Sequence, residues 1–154
     1  MFHIVLYEPE IPPNTGNIIR LCANTGTHLH LIHPVGFQLD DKKLRRAGLD
    51  YREFVNIQEF HSLDEFRLAI APRRLFGIST KGQSCYSNIH YQAGDAFLLG
   101  PETRGLPQTV LDALPEENIL RIPMREHSRS LNLANAAAVM VYEAWRQHNF
   151  IEGS

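Results

Sequence analysis

Short apolar runs recur at residues 2–7, 28–32, 54–57, 75–78, 96–99 and 119–122, each bounded by Gly, Pro, Asn or charged positions. Runs of that length and make-up suit buried strands better than helices. Between several of them, apolar residues fall at helical spacing over 14–25, 41–47, 63–69, 108–114 and 131–148. Strands alternating with helices predict an α/β domain with a mostly parallel sheet flanked by helices, because a parallel pair needs a crossover and a helix usually supplies it. No repeat, linker or low-complexity tract interrupts the pattern, so 1–154 reads as one domain, long enough to bury a core without disulfide or metal. Residues 79–94, rich in Gly, Ser and polar side chains, are the expected mobile segment.

Three strand ends carry unusual chemistry. The run 97–99 breaks into Gly100-Pro101-Glu102-Thr103-Arg104-Gly105-Leu106-Pro107, and 119–122 breaks into a loop from Pro123 to Asn132 before an Ala-rich helix. The first run is followed by Pro12-Pro13-Asn14-Thr15-Gly16-Asn17-Ile18-Ile19-Arg20, in which Asn14 reads as a helix N-cap and Arg20 lies about one turn past Gly16. A helix start near a guanidinium favours an anion such as phosphate. Loops of this kind at the carboxyl ends of parallel strands predict one composite ligand site.

In this order, the segments Asn14 to Arg20, Leu99 to Leu106, and Ile122-Pro123-Met124 with Ser130-Leu131-Asn132-Leu133-Ala134-Asn135 resemble the three motifs of the SPOUT RNA methyltransferases. The resemblance spans nearly the whole chain. It is strongest to the small single-domain branch that methylates the 2'-hydroxyl of the tRNA wobble nucleotide, C or modified U, with leucine tRNAs the expected set. It implies a deep trefoil knot at the carboxyl end, which periodicity does not reveal. It also implies S-adenosyl-L-methionine as cofactor, leaving as S-adenosyl-L-homocysteine, with Ile78, Gly100, Ile122 and Ser130 around it. Arg20 matches the family's catalytic arginine. Asn14, Glu102, Asn132 and Tyr142 match substrate-binding or supporting positions.

The residues permit plainer roles as well. Gly100 can simply turn the chain, Ile122 can be core, Ser130 can be an N-cap, and Glu102 can accept N–H groups of its own loop. Arg20 can be an exposed helix arginine paired with Glu8 or Glu10, and Tyr142 a packed aromatic.

Charge narrows the partners. With 15 Lys and Arg against 17 Asp and Glu, the net charge is −2, so bulk attraction to RNA is excluded. Local clusters remain at Lys42, Lys43, Arg45 and Arg46, at Arg73 and Arg74, and at Arg104, Arg121, Arg125 and Arg129 beside the motif loops. Those loops favour a polyanion, here the tRNA anticodon loop, whose splayed nucleotides expose the ribose. Cys22 and Cys85 show no framework spacing and read as reduced thiols. His28, His30 and His33 lack companion ligands at zinc spacing, so no metal is expected. No targeting or membrane-spanning segment is evident, and a cytoplasmic enzyme is the expectation.

The last helix is apolar almost all round, from Leu131 through Ala136, Ala137, Ala138 and Val141 to Trp145. Such a helix must be covered all round, which predicts a homodimer packed partly through it, the plainer alternative being a central core helix in a monomer. Competing readings are a non-catalytic knotted RNA-binding module, a methyltransferase acting on another RNA, and a Rossmann nucleotide enzyme. The last lacks a GxGxxG after the first strand.

Overall fold

The computed structural model describes residues 1–39 and 57–154. The expected helix at 41–47, residues 54–56 of the third expected strand and the basic group at 42–46 lie outside the described residues. Seven strands form one sheet: β1 (His3–Tyr7), β2 (His28–Ile32), β3 (Ile57–Phe60), β4 (Leu75–Ile78), β5 (Ser84–Cys85), β6 (Ala96–Leu99) and β7 (Ile119–Arg121). Their order is β3-β2-β1-β6-β4-β7-β5, and every neighbouring pair is parallel.

Side chains alternate across the strands, and the two faces collect separate cores. Ile4, Leu6, Leu29, Leu31, Phe97 and Leu99 point to one face, where α1 (Pro12–Thr25) and α4 (Leu133–Gln147) add Ile18, Ile19, Ala137, Met140 and Val141. Val5, Ile32, Ala96 and Leu98 point to the other, against Phe66 of α2 (Leu63–Ile70) and Val110 and Leu111 of α3 (Gln108–Asp112). Because all strands run the same way, the loops after β1, β4, β6 and β7 leave from one edge.

Three expectations are corrected. The third strand does not end at Ile57 but continues to Phe60, through the exposed Gln58 and Glu59. Helix α1 starts at Pro12 with Ile11 as N-cap, so Asn14 lies inside it. Proline at the first helical positions sets φ and lacks the N–H that would go unpaired there. The segment 79–94 holds more fixed structure than its composition suggests. It contains β5 and a 3-10 turn, and Gln147 of α4 binds both Tyr91 N–H and Ile89 C=O.

Although β4 and β5 are consecutive, β7 lies between them in the sheet. The link 79–83 must therefore cross β7. It does so in contact: a Cβ on Gly82 would stand 2.5 Å from the Leu120 carbonyl carbon. Ser79 N–H also donates to Leu120 C=O at 2.9 Å.

At the amino ends of β1 and β2, His28 and His30 do share a strand face, but they meet His3. His3 Nδ1 and His30 Nε2 are 2.9 Å apart, His28 stacks on His3, and His30 is packed against Phe60 and Phe66. His33 pairs instead with Glu59. Burial first, then the neighbouring imidazoles, pushes His30 down to about 3 and His3 to about 4. The rings fold neutral, whereas in the unfolded chain they take up protons near 6.5. Their contribution is thus complete above pH 6.5 and is lost as pH falls toward 4 and 3. Between pH 7 and pH 4, wild type should lose on the order of 3 kcal/mol through His30 alone. His30→Leu should flatten that part of the slope in urea unfolding; an unchanged slope would assign acid sensitivity elsewhere.

Candidate functional site at the carboxyl edge

Helix α1 begins without a side-chain cap of its own, and its first two residues, Pro12 and Pro13, have no N–H to cap. The backbone N–H groups just before it are met by a remote carboxylate. Glu102, in the loop after β6, accepts hydrogen bonds from Glu10 N–H at 2.9 Å, Ile11 N–H at 2.6 Å and Asn14 Nδ2 at 3.3 Å. A negative group beside a helix start is also favoured by the backbone dipoles. Glu102 thus binds backbone N–H groups as one reading expected, but those of another loop. In return, Glu10 Oε1 accepts from Thr103 N–H at 3.1 Å and Thr103 Oγ1 at 2.8 Å, and Glu10 Oε2 lies 3.9 Å from Arg104 Nε. The Thr103 bonds hold the Glu10 carboxyl below the usual carboxylate range.

Helix α4 is capped by Asn132, whose Oδ1 accepts from Ala134 and Asn135 N–H. The helix therefore starts at Leu133, and Ser130 is not its cap. Asn132 Nδ2 donates to Asn14 Oδ1 at 3.0 Å. Glu102, Asn14 and Asn132 make a continuous chain of hydrogen bonds across three loops far apart in sequence.

These loops surround a cavity of about 490 Å³. Ile78, Gly100, Ile122 and Ser130 all line it, as do Asn14, Glu102 and Asn132. Arg20 and Tyr142 do not. Arg20 is exposed on α1, with Asn17 exposed one turn before it. Tyr142 is 44 % exposed and lines a separate concavity with Trp145, Phe150 and Ile151. Its ring leans on Trp145.

Part of the open cavity wall is apolar. Ile11, Met124 and Leu131 line it while remaining 39 %, 37 % and 41 % exposed, an arrangement that a flat apolar ligand would cover. Gly100 is required for a reason internal to the protein: a Cβ there would lie 2.3 Å from Leu106 N and 2.4 Å from the Gly105 carbonyl carbon. Gly105 makes the return with φ +68°. Lys81 and Arg104 at the rim supply positive charge. Arg125 and Arg129 are exposed on the loop after β7, while Arg121 is engaged by Gly82 C=O. The site residues to which no role was assigned are Thr103, which lies within the second motif, and Glu10, whose sequence sign is proximity to the first. Among the described residues, no group of three His, Cys, Asp or Glu side chains is arranged to hold a metal.

Comparison with known proteins gives this geometry its context. Residues 1–142 match the family model described as the SpoU rRNA Methylase family. The chain is 62 % identical over 147 residues to a tRNA (cytidine(34)-2'-O)-methyltransferase of Escherichia coli (strain K12), covering 96 % of this chain and 94 % of that one. It is 59 % identical over 150 residues to the protein of the same name from Methylovorus glucosotrophus (strain SIP3-4), with 97 % of each covered. A structure described as giving insights into the 2-OH methylation of C/U34 on tRNA superposes with a TM-score of 0.88 at 45 % identity, covering 97 % of both chains. The SpoU methyltransferase AviRb from Streptomyces viridochromogenes, in complex with the cofactor AdoMet, superposes at 0.81 with 28 % identity, over 96 % of this chain and 60 % of that one. With three motif loops closed on one cavity and a family match over most of its length, this chain belongs to the SpoU methylase family.

Proposed function

We propose that this protein transfers a methyl group from S-adenosyl-L-methionine to the 2'-hydroxyl of the wobble nucleotide of tRNA, C or modified U, in leucine tRNAs. The observation that carries the reading is the convergence of Ile78, Gly100, Ile122 and Ser130 on one half-apolar cavity in a chain 59–62 % identical to enzymes named for that reaction. The family description refers to ribosomal RNA, but the relatives matched over nearly their full length are named for tRNA.

The residues fit the cofactor. Ile78 and Ile122 provide apolar walls for adenine together with backbone polar groups, and Ser130 and Leu131 present backbone at the open side. The bound cofactor supplies an electrophilic methyl group on a sulfur that leaves uncharged. What remains for the protein is alignment of the ribose hydroxyl and stabilisation of the negative charge growing on its oxygen. Arg20 does this: a guanidinium keeps its proton, so it grips the adjacent phosphate and stabilises the forming alkoxide rather than acting as base. Asn14, Glu102 and Asn132 hold the loops and the start of Arg20's helix in register.

A homodimer completes the site. Within one chain Arg20 does not line the cavity, and the outer face of α4 leaves Asn135, Tyr142 and Arg146 exposed. Packing two chains through the outer faces of α1 and α4 covers these residues and brings an Arg20 to a cofactor cavity. The RNA is then held by the dimer surface through its anticodon loop, with the rim arginines on phosphates. A carboxyl-terminal knot is part of this reading, and the crossing of 79–83 over β7 supports it. A cytoplasmic setting suits such an enzyme, and no helix among the described residues is long and apolar enough to cross a membrane.

Incubated with S-adenosyl-L-methionine and tRNA from cells lacking this protein, the enzyme should produce 2'-O-methylcytidine at the wobble position, read by nucleoside mass spectrometry. Methylation confined to ribosomal RNA, or none, refutes the assignment. Arg20→Lys keeps the charge but loses the planar fork and should lower kcat by about a hundredfold or more, the scale of losing one oxyanion donor. Full turnover by that variant removes the proposed role. Gly100→Ala should cost about 1–3 kcal/mol by forcing the loop off Leu106 and weaken S-adenosyl-L-homocysteine binding in calorimetry. Unaltered affinity would separate that loop from the cofactor.

A further inference from the structure

Glu10 takes part in no step of the reaction above, yet its carboxylate is held as firmly as that of Glu102. The two form a reciprocal exchange between remote loops: Glu102 accepts the backbone N–H of Glu10 and Ile11, and Glu10 accepts the backbone N–H and hydroxyl of Thr103. Inside the loop after β6, the backbone closes on itself through Gly105 N–H to Pro101 C=O at 2.8 Å and a longer bond from Arg104 N–H. These bonds shape the turn without fixing it to the rest of the protein. The carboxylate exchange does fix it, and to the first residues before α1.

We propose that Glu10 is a positioning residue of the cofactor cavity, anchoring the wall at 100–105 so that cavity shape and the start of Arg20's helix are set together. This rests on the cofactor reading given above. The chemistry is that of charge-assisted hydrogen bonds, the stronger kind, here made by one carboxylate oxygen to two donors of a single residue. Both Glu102 and Thr103 lie in the cavity wall, whereas the Glu10 side chain stays outside it and is 33 % exposed. Loss of the Glu10 carboxylate therefore leaves the Thr103 donors to water rather than orphaned in a core. Folding should survive while the wall loosens.

The test is calorimetry of S-adenosyl-L-homocysteine on the full chain, with ligand-free thermal unfolding alongside. Glu10→Ala should raise Kd about tenfold, as should the double variant Glu10→Ala with Thr103→Val, because both remove one interaction. Glu10→Gln keeps a carbonyl oxygen able to accept both Thr103 bonds and should stay within about threefold of wild type. Ligand-free unfolding midpoints should remain close to wild type in all of them. Wild-type affinity in Glu10→Ala overturns the proposal, as does a Gln variant as weak as the Ala one, or additive losses in the double variant. In each of those results wild type binds and the cofactor reading stands. A wild type that fails to bind removes that reading and this one together.

Discussion

The arrangement at the carboxyl edge depends on a carboxylate accepting N–H groups that its own loop does not own. A parallel sheet sets strand ends side by side at a fixed spacing, but it says nothing about where the loops beyond those ends should lie. Helix α1 arrives there with two prolines that have no N–H to offer, and Glu10 and Ile11 just before it bring backbone N–H groups that no local side chain meets. Glu102 satisfies them from 91 residues away, Asn14 extends the contact, and Asn132 ties it to the start of α4. The cavity is what these bonds enclose. Its floor is sheet and its walls are loops that would otherwise have no common frame.

That division explains what could be read from the sequence. Strands 28–32, 75–78 and 96–99 have the observed bounds, because strands covered on both faces are nearly continuous apolar runs. The third strand was ended too early, at Ile57, whereas it continues to Phe60. Its described residues include Gln58 and Glu59, exposed on a strand at the edge of the sheet, where apolar pattern is weak and charge is common. Ile78, Gly100, Ile122 and Ser130 were found by motif and do meet at one cavity. Helix starts were harder. Asn14 and Ser130 have the right chemistry for caps, but the prolines at 12 and 13 and the better-placed Asn132 took those positions. The pairing of Glu10 with Thr103 could not be found, since nothing local marks a carboxylate whose partner lies 93 residues on.

The last helix shows the limits of periodicity in another way. Its apolar pattern on all sides implied cover on all sides, and one chain provides it for Leu133, Ala136, Ala137, Met140, Val141 and Ala144. On the remaining side Tyr142 is exposed, beside a concavity whose Phe150 and Ile151 are 43 % and 63 % exposed. Apolar area gathered in that way is costly to leave in water, at about 25 cal/mol per Å².

A net charge of −2 seems at odds with an RNA substrate only if charge is treated as a property of the whole molecule. Attraction between exposed charges fades over about 8–10 Å at cellular salt, so what a phosphate senses is the local rim. There, Lys81 and Arg104 border the cavity and Arg125 and Arg129 stand exposed on the loop after β7, while Glu10 and Glu102 are occupied by donors of the protein itself. The same hydrogen bonds that hold the loops together thus draw two carboxylates away from the approaching polyanion. The two carboxylates built into the site are thereby engaged by the protein itself.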